Sequence, residues 1–382
     1  MTKRPVLIYR DRLVYLSERF IVAQGEALRR YAPHYAGVRR EPSVETPPTR
    51  TTLLCDGSIL DLPRAFAFKT LGVLPDSFRR LAALRPELVH AHFGPDGVRA
   101  IPIARHVRAP LVVTFHGFDA TMHDDALRAT SSHAMRRFPQ TRRRLFSSAA
   151  RFIAVSQFVR EKLLARGYPS EKIVVHPIGV DTTFFAGRAE RDRVVLFVAR
   201  LVEQKGIADF VRVVGEVRHR HPDLRGVVIG DGPARQSAES LSRELGAGVE
   251  FLGSRGVDEV RDWMNRSLVF CVPSRRMTTG AEEGFGLVFA EAQAAGLPVV
   301  SYANGGIPEA VAAGETGLLA PDGDWQALAG HLLLVASDDV LRRKFSAAGS
   351  ARARMYFDLA KQSSALEETY DAVVEEYQRA GR

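Results

Sequence analysis

Residues 194–217 read VVLFVARLVEQKGIADFVRVVGEV, and they contain one complete strand-loop-helix pattern. Its first five residues are apolar without interruption, which is typical of a strand buried on both faces of a sheet. A short polar loop and a helical pattern follow. A buried strand that leads through a loop into a helix is half of a βαβ unit, the element from which parallel sheets are built.

The same pattern recurs on both sides of this stretch. In the N-terminal half we predict strands at residues 6–9, 52–54, 88–92, 110–115, 152–155 and 172–176. In the C-terminal half we predict strands at residues 194–198, 226–229, 249–252, 268–272, 298–301 and 317–319. Each half therefore predicts a doubly wound α/β sheet of parallel strands, in which ligands bind at the carboxyl ends of the strands.

The pattern is interrupted at residues 181–193, which have no sustained periodicity, and we place a linker there. We predict an N-terminal Rossmann-like domain over residues 1–182 and a C-terminal one over residues 183–357. A final helix over residues 358–382 is predicted to pack back on the N-terminal domain. The chain length of 382 residues suits two domains, and two facing domains create a cleft for a ligand.

The net charge of +9 is unevenly distributed. Residues 1–182 carry 29 Lys and Arg against 16 Asp and Glu, whereas residues 183–382 carry 24 against 28. A basic half can attract nucleic acid, anionic lipid headgroups or an anionic substrate, or it can be a solvated surface without a partner. No recognised nucleic-acid-binding motif accompanies the charge, so we expect no nucleic-acid partner.

The chain starts with a few charged residues and a short apolar run, too short for a signal peptide or a membrane span. Two cysteines, Cys55 and Cys271, exclude a disulfide framework. We therefore expect a cytoplasmic protein, either soluble or peripheral at the inner face of the membrane.

A basic segment in the N-terminal half has apolar residues among its arginines. Phe138, Leu145 and Phe146 lie among Arg136, Arg137, Arg142, Arg143 and Arg144. Such a segment can lie on an anionic membrane, and a solvated helix face is the alternative.

Two loops after strands of the C-terminal half carry residues that suit a phosphorylated ligand. Arg200 and Lys205 follow the strand at residues 194–198, and two cations beside a helix N-terminus suit a diphosphate. Gly230 follows the next strand in a tight turn, where the backbone can approach a ligand. Solvated cations and simple turn chemistry are the alternatives.

Residues 282–291 read EEGFGLVFAE, the most informative segment of the chain. Glu283 and Glu291 flank a loop that opens a helix, and the backbone amides of that loop can bind an anion. Glu291 can accept hydrogen bonds from sugar or ribose hydroxyls. This arrangement suits one ligand that is both phosphorylated and rich in hydroxyls, whereas the alternative is a solvated acidic helix start.

Histidines mark the strand ends of the N-terminal half. His116 follows the strand at residues 110–115, so it is expected to face the cleft, and Asp119 is expected to orient its imidazole ring. We interpret His90 and His92 as pointing to opposite faces of their strand, with one of them in the core. Without a third ligand they predict no metal site.

Together these segments resemble the retaining GT-B glycosyltransferases of the group 1 and family 4 type, to which sucrose synthase, glycogen synthases and bacterial phosphatidylinositol mannosyltransferases are related. The resemblance covers most of the chain. It is carried by FVARLVEQKG at residues 197–206, EGFGLVFAEAQAAGLPVV at residues 283–300 and GGIPEAVAAGETGLLAPDGD at residues 305–324. IAVSQFVREKL at residues 153–163 and KIVVHPIGVDTTFF at residues 172–185 resemble the end of the N-terminal domain.

The resemblance implies a GT-B architecture, with two Rossmann-like domains facing across a cleft. It implies a retaining hexosyl transfer from a nucleotide diphosphate sugar to a hydroxyl acceptor. The implied catalytic residues are His116, Arg200, Lys205 and Glu283. The implied donor-binding residues are Gly230, Gly284, Phe285, Gly286, Leu287 and Glu291.

The resemblance also implies that no metal or other cofactor is required, because Arg200 and Lys205 would replace the metal. We interpret the string Asp322-Gly323-Asp324 as a turn. The chain departs from many relatives in lacking paired glycines after its first strand. The string LSERFI there resembles a subgroup of bacterial exopolysaccharide enzymes, and it places Ser17 and Glu18, with Asp119, on the acceptor side.

The expected partners are a nucleotide-sugar donor, with UDP preferred over GDP, and a saccharide, lipid-linked saccharide or small-molecule acceptor. Surface polysaccharide or glycolipid assembly is the expected context. Two alternatives remain at this point. One is a nucleotide-sugar 2-epimerase on the same fold, and the other is a non-catalytic subunit that binds a nucleotide sugar.

Overall fold

The computed structural model describes residues 3–40, 46–55, 68, 75–187 and 190–381. The chain forms two compact units. Unit 1 comprises Met1–Gly179 together with Leu359–Arg382, and unit 2 comprises Val180–Asp358. Residues 188 and 189 of the predicted linker lie outside the described residues.

Unit 1 is built around a parallel sheet of seven strands in the order β5-β3-β1-β6-β7-β8-β9, and β2 and β4 form a separate pair. The strands are β1 (Arg4–Tyr9), β2 (Arg12–Leu13), β3 (Tyr31–Gly37), β4 (Arg39–Arg40), β5 (Thr51–Leu53), β6 (Leu88–His92), β7 (Leu111–Phe115), β8 (Arg151–Ala154) and β9 (Ile173–Val175). The helices are α1 (Phe20–Glu26), α2 (Pro75–Ala83), α3 (Gly94–Val107), α4 (Phe118–Thr121), α5 (Asp124–Ala129), α6 (His133–Thr141), α7 (Arg143–Ser148), α8 (Gln157–Ala165) and, at the C-terminus, α16 (Leu359–Arg379).

Unit 2 has a parallel sheet of six strands in the order β12-β11-β10-β13-β14-β15. Its strands are β10 (Val194–Val198), β11 (Arg225–Ile229), β12 (Val249–Gly253), β13 (Val269–Cys271), β14 (Val299–Tyr302) and β15 (Gly317–Ala320). Its helices are α9 (Ile207–Arg218), α10 (Arg235–Glu244), α11 (Val257–Arg266), α12 (Leu287–Ala294), α13 (Ile307–Ala310), α14 (Trp325–Ser337) and α15 (Asp339–Tyr356).

The sheet of unit 2 and the first six main-sheet strands of unit 1 share one spatial order, third-second-first-fourth-fifth-sixth. This is the doubly wound order, whose direction of winding reverses between the first and fourth strands. The reversal lies between β1 and β6 in unit 1 and between β10 and β13 in unit 2. A ligand is expected to bind at the carboxyl ends of the strands at these points.

All twelve predicted strands are present, with ends that differ by no more than two residues. The prediction missed β3, which lies between β5 and β1 in the sheet of unit 1. Its sequence, YAPHYAG, lacks a β-branched run and contains Pro33. Pairing of β3 with β5 begins only at Tyr35, so Pro33 lies before that ladder and its missing N–H leaves it intact.

Helix α16 joins unit 1 through buried and partly buried hydrogen bonds. The Glu367 carboxylate accepts from the backbone N–H groups of Arg29, Arg30 and Tyr31, at 2.7, 2.6 and 3.3 Å. The Tyr31 hydroxyl donates to Asp371 at 2.9 Å. The chain ends of unit 1 are thereby closed by a helix from the far end of the sequence.

Candidate functional site

The loops after β10 and β13 touch at the reversal point of unit 2. Gly206, the residue before α9, has a φ of +69°. A Cβ atom there would lie 2.0 Å from the Pro273 carbonyl oxygen. Only glycine allows this approach. The N–H of Arg275 also donates to the Gln204 carbonyl at 2.8 Å, so the two loops are joined through their backbones.

Lys205 and Glu283 form an ion pair between these loops, although they are 78 residues apart in the sequence. The Ser274 hydroxyl donates to the same Glu283 oxygen at 3.1 Å. The side chains of Lys205 and Glu283 are 23% and 13% exposed, so both remain accessible. Arg200 is exposed, and no described residue forms an ion pair with its guanidinium.

The backbone of Glu283 is held as firmly as its side chain. Its N–H donates to the Asn304 side-chain oxygen at 3.1 Å, and its carbonyl accepts from the Gly306 N–H at 2.8 Å. The Asn304 amide in turn donates to Asp322 at 3.2 Å, and Asp322 also accepts from the Arg276 N–H at 3.0 Å. The predicted turn at Asp322 is present, and its carboxylate has this additional function.

Phe285 and Gly286 connect Glu283 to α12. Phe285 is 3% exposed, and its ring lies 5.2 Å from the ring of Phe357, so its side chain belongs to the core. Gly286, with a φ of +80°, directly precedes α12. Any contact of Phe285 with a ligand would therefore come through its backbone amide.

The other predicted donor residues lie on or beside the same sheet edge. Gly284 is buried, and Leu287 and Glu291 are half-buried on α12, with Glu291 in its second turn. Gly230 follows β11, and a Cβ atom there would lie 1.9 Å from the Ala199 carbonyl oxygen. The glycine therefore brings the loop after β11 against the loop that holds Arg200.

In unit 1, His116 follows β7 and is surrounded by aromatic rings. The centroid of its ring lies 4.5 Å from that of Phe93 and 5.0 Å from that of Phe20. His116 Nε2 is hydrogen-bonded to His92 Nδ1 at 3.0 Å. His116 Nδ1 is buried and has no hydrogen-bond partner among the described residues.

The interpretation that His90 and His92 face opposite sides of their strand is wrong. Their ring centroids lie 4.3 Å apart, because residues two apart on a strand point to the same face. His90 bonds the Thr114 hydroxyl at 2.7 Å and the Tyr370 hydroxyl at 2.6 Å. Its ring is therefore fixed by β7 and by α16.

These three histidines are neutral at physiological pH. Burial lowers the pKa of His90 to about 3, and it lowers the pKa values of His92 and His116 well below the ordinary histidine value. The physical cause is the loss of hydration that a buried imidazolium would suffer. Neighbouring histidines and Arg10 add a smaller electrostatic contribution in the same direction.

Asp119 does not orient the His116 ring, so that expectation is wrong. Its carboxylate accepts from the backbone N–H groups of Gly94, His116 and Gly117, at 2.9, 3.1 and 3.0 Å. Burial raises the pKa of Asp119 to about 6, and these three bonds oppose the rise. Asp119 therefore fixes the loops after β6 and β7, while the imidazole is held by His92.

The predicted acceptor-side pair is split by the structure. Ser17 is exposed. Glu18 accepts two hydrogen bonds from Arg10, at 2.9 and 2.8 Å, and Arg10 also forms an ion pair with Asp96. The Arg10 guanidinium lies 4.4 Å from the centroid of the Phe93 ring, which also borders His116.

The basic segment on α6 and α7 has two of its three apolar residues in the core, and Phe146 is half-buried with its ring centroid 4.7 Å from that of Tyr168. Phe138 is 1% exposed and Leu145 is fully buried. Arg142 pairs with Asp124 at 2.6 and 3.0 Å. The residues left exposed are Arg136, Arg137, Arg143 and Arg144.

The residues that the structure describes show no cluster of metal-ligating side chains and no helix suited to span a membrane. No group of three or more His, Cys, Asp or Glu side chains in that part of the chain is arranged to hold a metal ion. None of its helices is both long enough and apolar enough to cross a membrane.

Sequence reasoning missed several residues that the structure brings to these sites, namely Arg10, His92, Ser274 and Asn304. Ser274 and Asn304 follow β13 and β14 closely, so their position after buried strands was an available signal. For His92 the signal was its two-residue spacing from His90.

Family models match both halves of the chain. The model for glycosyl transferases group 1 matches residues 181–352. The model for glycosyltransferase family 4 matches residues 13–184.

Two relatives and one solved structure illustrate what the chain is similar to. The putative colanic acid biosynthesis glycosyltransferase WcaL of Salmonella typhimurium is 33% identical over 250 residues, which is 63% of this chain and 59% of that protein. The chain thus spans less than two thirds of the length of WcaL. The phosphatidyl-myo-inositol mannosyltransferase of Mycobacterium tuberculosis is 31% identical over 300 residues, which is 75% of this chain and 74% of that protein. The crystal structure of Anabaena Alr3699/HepE in complex with UDP has a TM-score of 0.76 at 19% identity and covers 97% of this chain and all of that one.

Proposed function

Since the chain belongs to the glycosyltransferases of group 1 and family 4 and has the GT-B fold, we propose that it transfers a sugar from a nucleotide diphosphate sugar to a hydroxyl acceptor. One observation carries the proposal. Lys205 and Glu283, far apart in the sequence, meet at the reversal point of unit 2, where doubly wound sheets bind their ligands.

Unit 2, which corresponds to the domain predicted at residues 183–357, is proposed to bind the donor. Lys205 and Arg200 would bind the diphosphate, because a leaving group that carries negative charge is stabilised by nearby cations. The ion pair with Glu283 uses only one of the three N–H donors of Lys205. Glu283 would accept hydrogen bonds from hydroxyls of the sugar, and Glu291 from those of the ribose.

The backbone around α12 would complete the donor site. The amides of Gly284, Phe285, Gly286 and Leu287 are proposed to contact phosphate and sugar oxygens. Amides at the start of a helix are oriented toward an anion and lack partners within the helix. Gly230 would provide a close approach of the backbone on the other side of Arg200.

The transfer is proposed to be retaining and independent of a metal ion. Both ideas rest on the family resemblance, and the second is supported by the two cations, Arg200 and Lys205, that follow β10. They would supply the charge stabilisation that a divalent ion provides in other transferases.

Unit 1 is proposed to bind the acceptor. His116 would contact a substrate hydroxyl through Nδ1, and Ser17, Glu18 and Asp119 would act on the acceptor side. Glu18 and Asp119 would do so by fixing Arg10 and the loop at His116. We propose a saccharide or lipid-linked saccharide as acceptor, since relatives carry out colanic acid synthesis and phosphatidylinositol mannosylation.

The donor proposal is tested by calorimetric titration with UDP, GDP, ADP and dTDP. We expect UDP to bind, since a protein of the same fold is known in complex with UDP. Lys205→Ala and Glu291→Ala should each weaken binding by at least about tenfold, or 1.4 kcal/mol. Lys344→Ala replaces an exposed lysine of the same unit and should change nothing.

The titration can contradict the proposal at two levels. Tight binding of GDP alone would replace the UDP preference and leave the transferase intact. Failure of all four nucleotides to bind would remove the donor site. A 2-epimer as the only product of the bound nucleotide sugar would replace transfer by epimerisation.

We propose that the protein is cytoplasmic and contacts the inner face of the membrane. The exposed arginines of α6 and α7 would bind anionic headgroups by charge alone, at about 1 kcal/mol each. Sedimentation with vesicles of phosphatidylglycerol should therefore be lost at high salt and in the Arg136→Ala, Arg143→Ala double variant. Binding that resists salt would contradict an electrostatic contact.

A further inference from the structure

One polar atom of the His116 ring, Nδ1, lacks a hydrogen-bond partner among the described residues, and the side chain as a whole is half-buried. Phe93 and Phe20 pack against the ring, and His92 bonds its Nε2 at 3.0 Å. Nδ1 is buried and has no partner among the described residues. A buried nitrogen left in this state is unfavourable by about 1–3 kcal/mol unless a ligand completes it.

The bond to His92 determines what Nδ1 can offer. A neutral imidazole carries one proton, so one ring nitrogen donates and the other accepts. If His92 Nδ1 donates to His116 Nε2, then His116 Nδ1 carries the proton and is a donor. If His116 Nε2 donates instead, Nδ1 is an acceptor. One shared proton therefore sets the chemistry of the free nitrogen.

His92 is itself held rigidly. It is 1% exposed, its ring packs 4.3 Å from that of His90, and it lies within 22° of the plane of the His116 ring. His90 is bonded at both nitrogens, to Thr114 and to Tyr370. The row formed by His90, His92 and His116 is thus anchored in β6, β7 and α16. It cannot rearrange independently of the fold.

We propose that His92 is a positioning residue, which fixes the orientation and the tautomer of His116 through this single hydrogen bond. The inference rests on the proposed function, in which His116 Nδ1 contacts a substrate hydroxyl. Asp119 is the candidate that the sequence suggests for this role. In the loop at His116 its carboxylate bonds only the backbone N–H groups of His116 and Gly117, so the ring is oriented by its bond to His92.

The bond between two neutral histidines also keeps positive charge away from the reacting carbon. Transfer of a glycosyl group develops positive charge at the anomeric carbon, which an imidazolium nearby would oppose. A histidine bonded to a carboxylate would be more readily protonated, whereas a histidine bonded to a second buried histidine stays neutral. His92 thus orients His116 without charging it.

The direct test is nitrogen NMR of the protein labelled with ¹⁵N-histidine. A scalar coupling between His92 Nδ1 and His116 Nε2 is expected across the hydrogen bond, with His116 as one neutral tautomer. His92→Phe, which removes the bond, should convert the His116 signals to a mixture of tautomers. His92→Asn, which places an amide near the position of Nδ1, should preserve one tautomer.

Two results would overturn the proposal. One is the absence of the coupling in the unaltered protein, which needs no variant to fold. The other is an unchanged His116 tautomer in His92→Phe. Tyr31→Phe removes a buried hydroxyl bond elsewhere in unit 1 and should leave the His116 signals unchanged.

Release of UDP from UDP-glucose separates this proposal from the proposed function. His92→Phe should lower kcat by about ten- to a hundredfold, with little change in KM for the donor, and His92→Asn should restore part of it. A fall in KM alone, or no change, would contradict the positioning role. If the unaltered protein releases no UDP, UDP-glucose is not its donor, while the nitrogen spectra still decide the role of His92.

Discussion

Units 1 and 2 share one order of strands, but the ends of those strands carry different chemistry. In unit 2 the loops hold a charged pair, Lys205 and Glu283, between glycine turns. In unit 1 they hold a row of neutral histidines that ends at His116. A doubly wound sheet therefore determines where a site forms, and the loop residues determine what it does.

The units also differ in how the chain closes them. Unit 2 is one continuous segment, whereas unit 1 is completed by α16 from the other end of the sequence. Its stability therefore depends on polar contacts formed late in the chain.

Acid should destabilise unit 1 more than unit 2. Burial lowers the pKa values of His90, His92, His116 and His176, all in unit 1, and that of His176 falls to about 4. These groups are neutral when folded and take up protons on unfolding below their ordinary pKa. Their contribution is thus complete above about pH 6.5 and is lost as pH falls toward their folded values.

For each of these histidines, the free energy of unfolding falls by about 1.4 kcal/mol per pH unit between about pH 6.5 and the pKa of the folded state. Asp119 acts in the opposite sense, because its raised pKa of about 6 favours the folded state as the carboxyl is protonated. The net loss between pH 7 and pH 5 is at most about 7 kcal/mol. Both tryptophans, Trp263 and Trp325, lie in unit 2. In urea titrations the transition seen by circular dichroism should therefore shift further than that seen by tryptophan fluorescence, and equal shifts would contradict the difference.

Removal of the Glu367 carboxylate should have the next largest effect on stability. Glu367→Ala leaves three backbone N–H groups without their acceptor and should lower the free energy of unfolding by about 3 kcal/mol. The matched control is Glu375→Ala on the same helix, which removes an exposed pair with Arg379 and should change stability by less than about 0.5 kcal/mol. Hydrogen exchange should locate the loss in peptides of unit 1, and a uniform loss over both units would argue against separate stability.

Gly206→Ala should disturb unit 2 by bringing two backbones into collision. Gly206 and Gly314 both have positive φ, but a Cβ atom at Gly206 meets the Pro273 carbonyl, whereas at Gly314 it meets open space. Gly314→Ala should therefore destabilise by about 1 kcal/mol, and Gly206→Ala by about 2–3 kcal/mol. Equal values from urea titration would show that the two loops do not need their close approach.

The outcome of sequence reasoning differs between the units for a physical reason. The strands and the two-unit fold follow from apolar runs, and the residues of unit 2 lie directly after such runs or beside glycines. The errors concern contacts across neighbouring strands, as with His92 and His116, whose meeting depends on β6 lying beside β7. Local sequence does not show which strands lie side by side in a sheet. When a strand such as β3 is missed, the order of the strands cannot be derived.

The smallest predicted effect concerns Asp322 and Asp324, which look equivalent in the sequence. Asp322 holds the Asn304 amide that bonds the N–H of Glu283, whereas Asp324 caps α14 by accepting from the Ala327 N–H at 2.9 Å. Asp322→Ala should weaken UDP binding by about threefold, or roughly 0.6 kcal/mol, because Glu283 loses part of its support. Asp324→Ala should leave UDP binding unchanged and lower stability by about 1 kcal/mol. Calorimetry and thermal unfolding of both variants separate the two roles. Equal effects on UDP binding would mean that Asp322 is no more than a turn residue, and that the position of Glu283 does not depend on it.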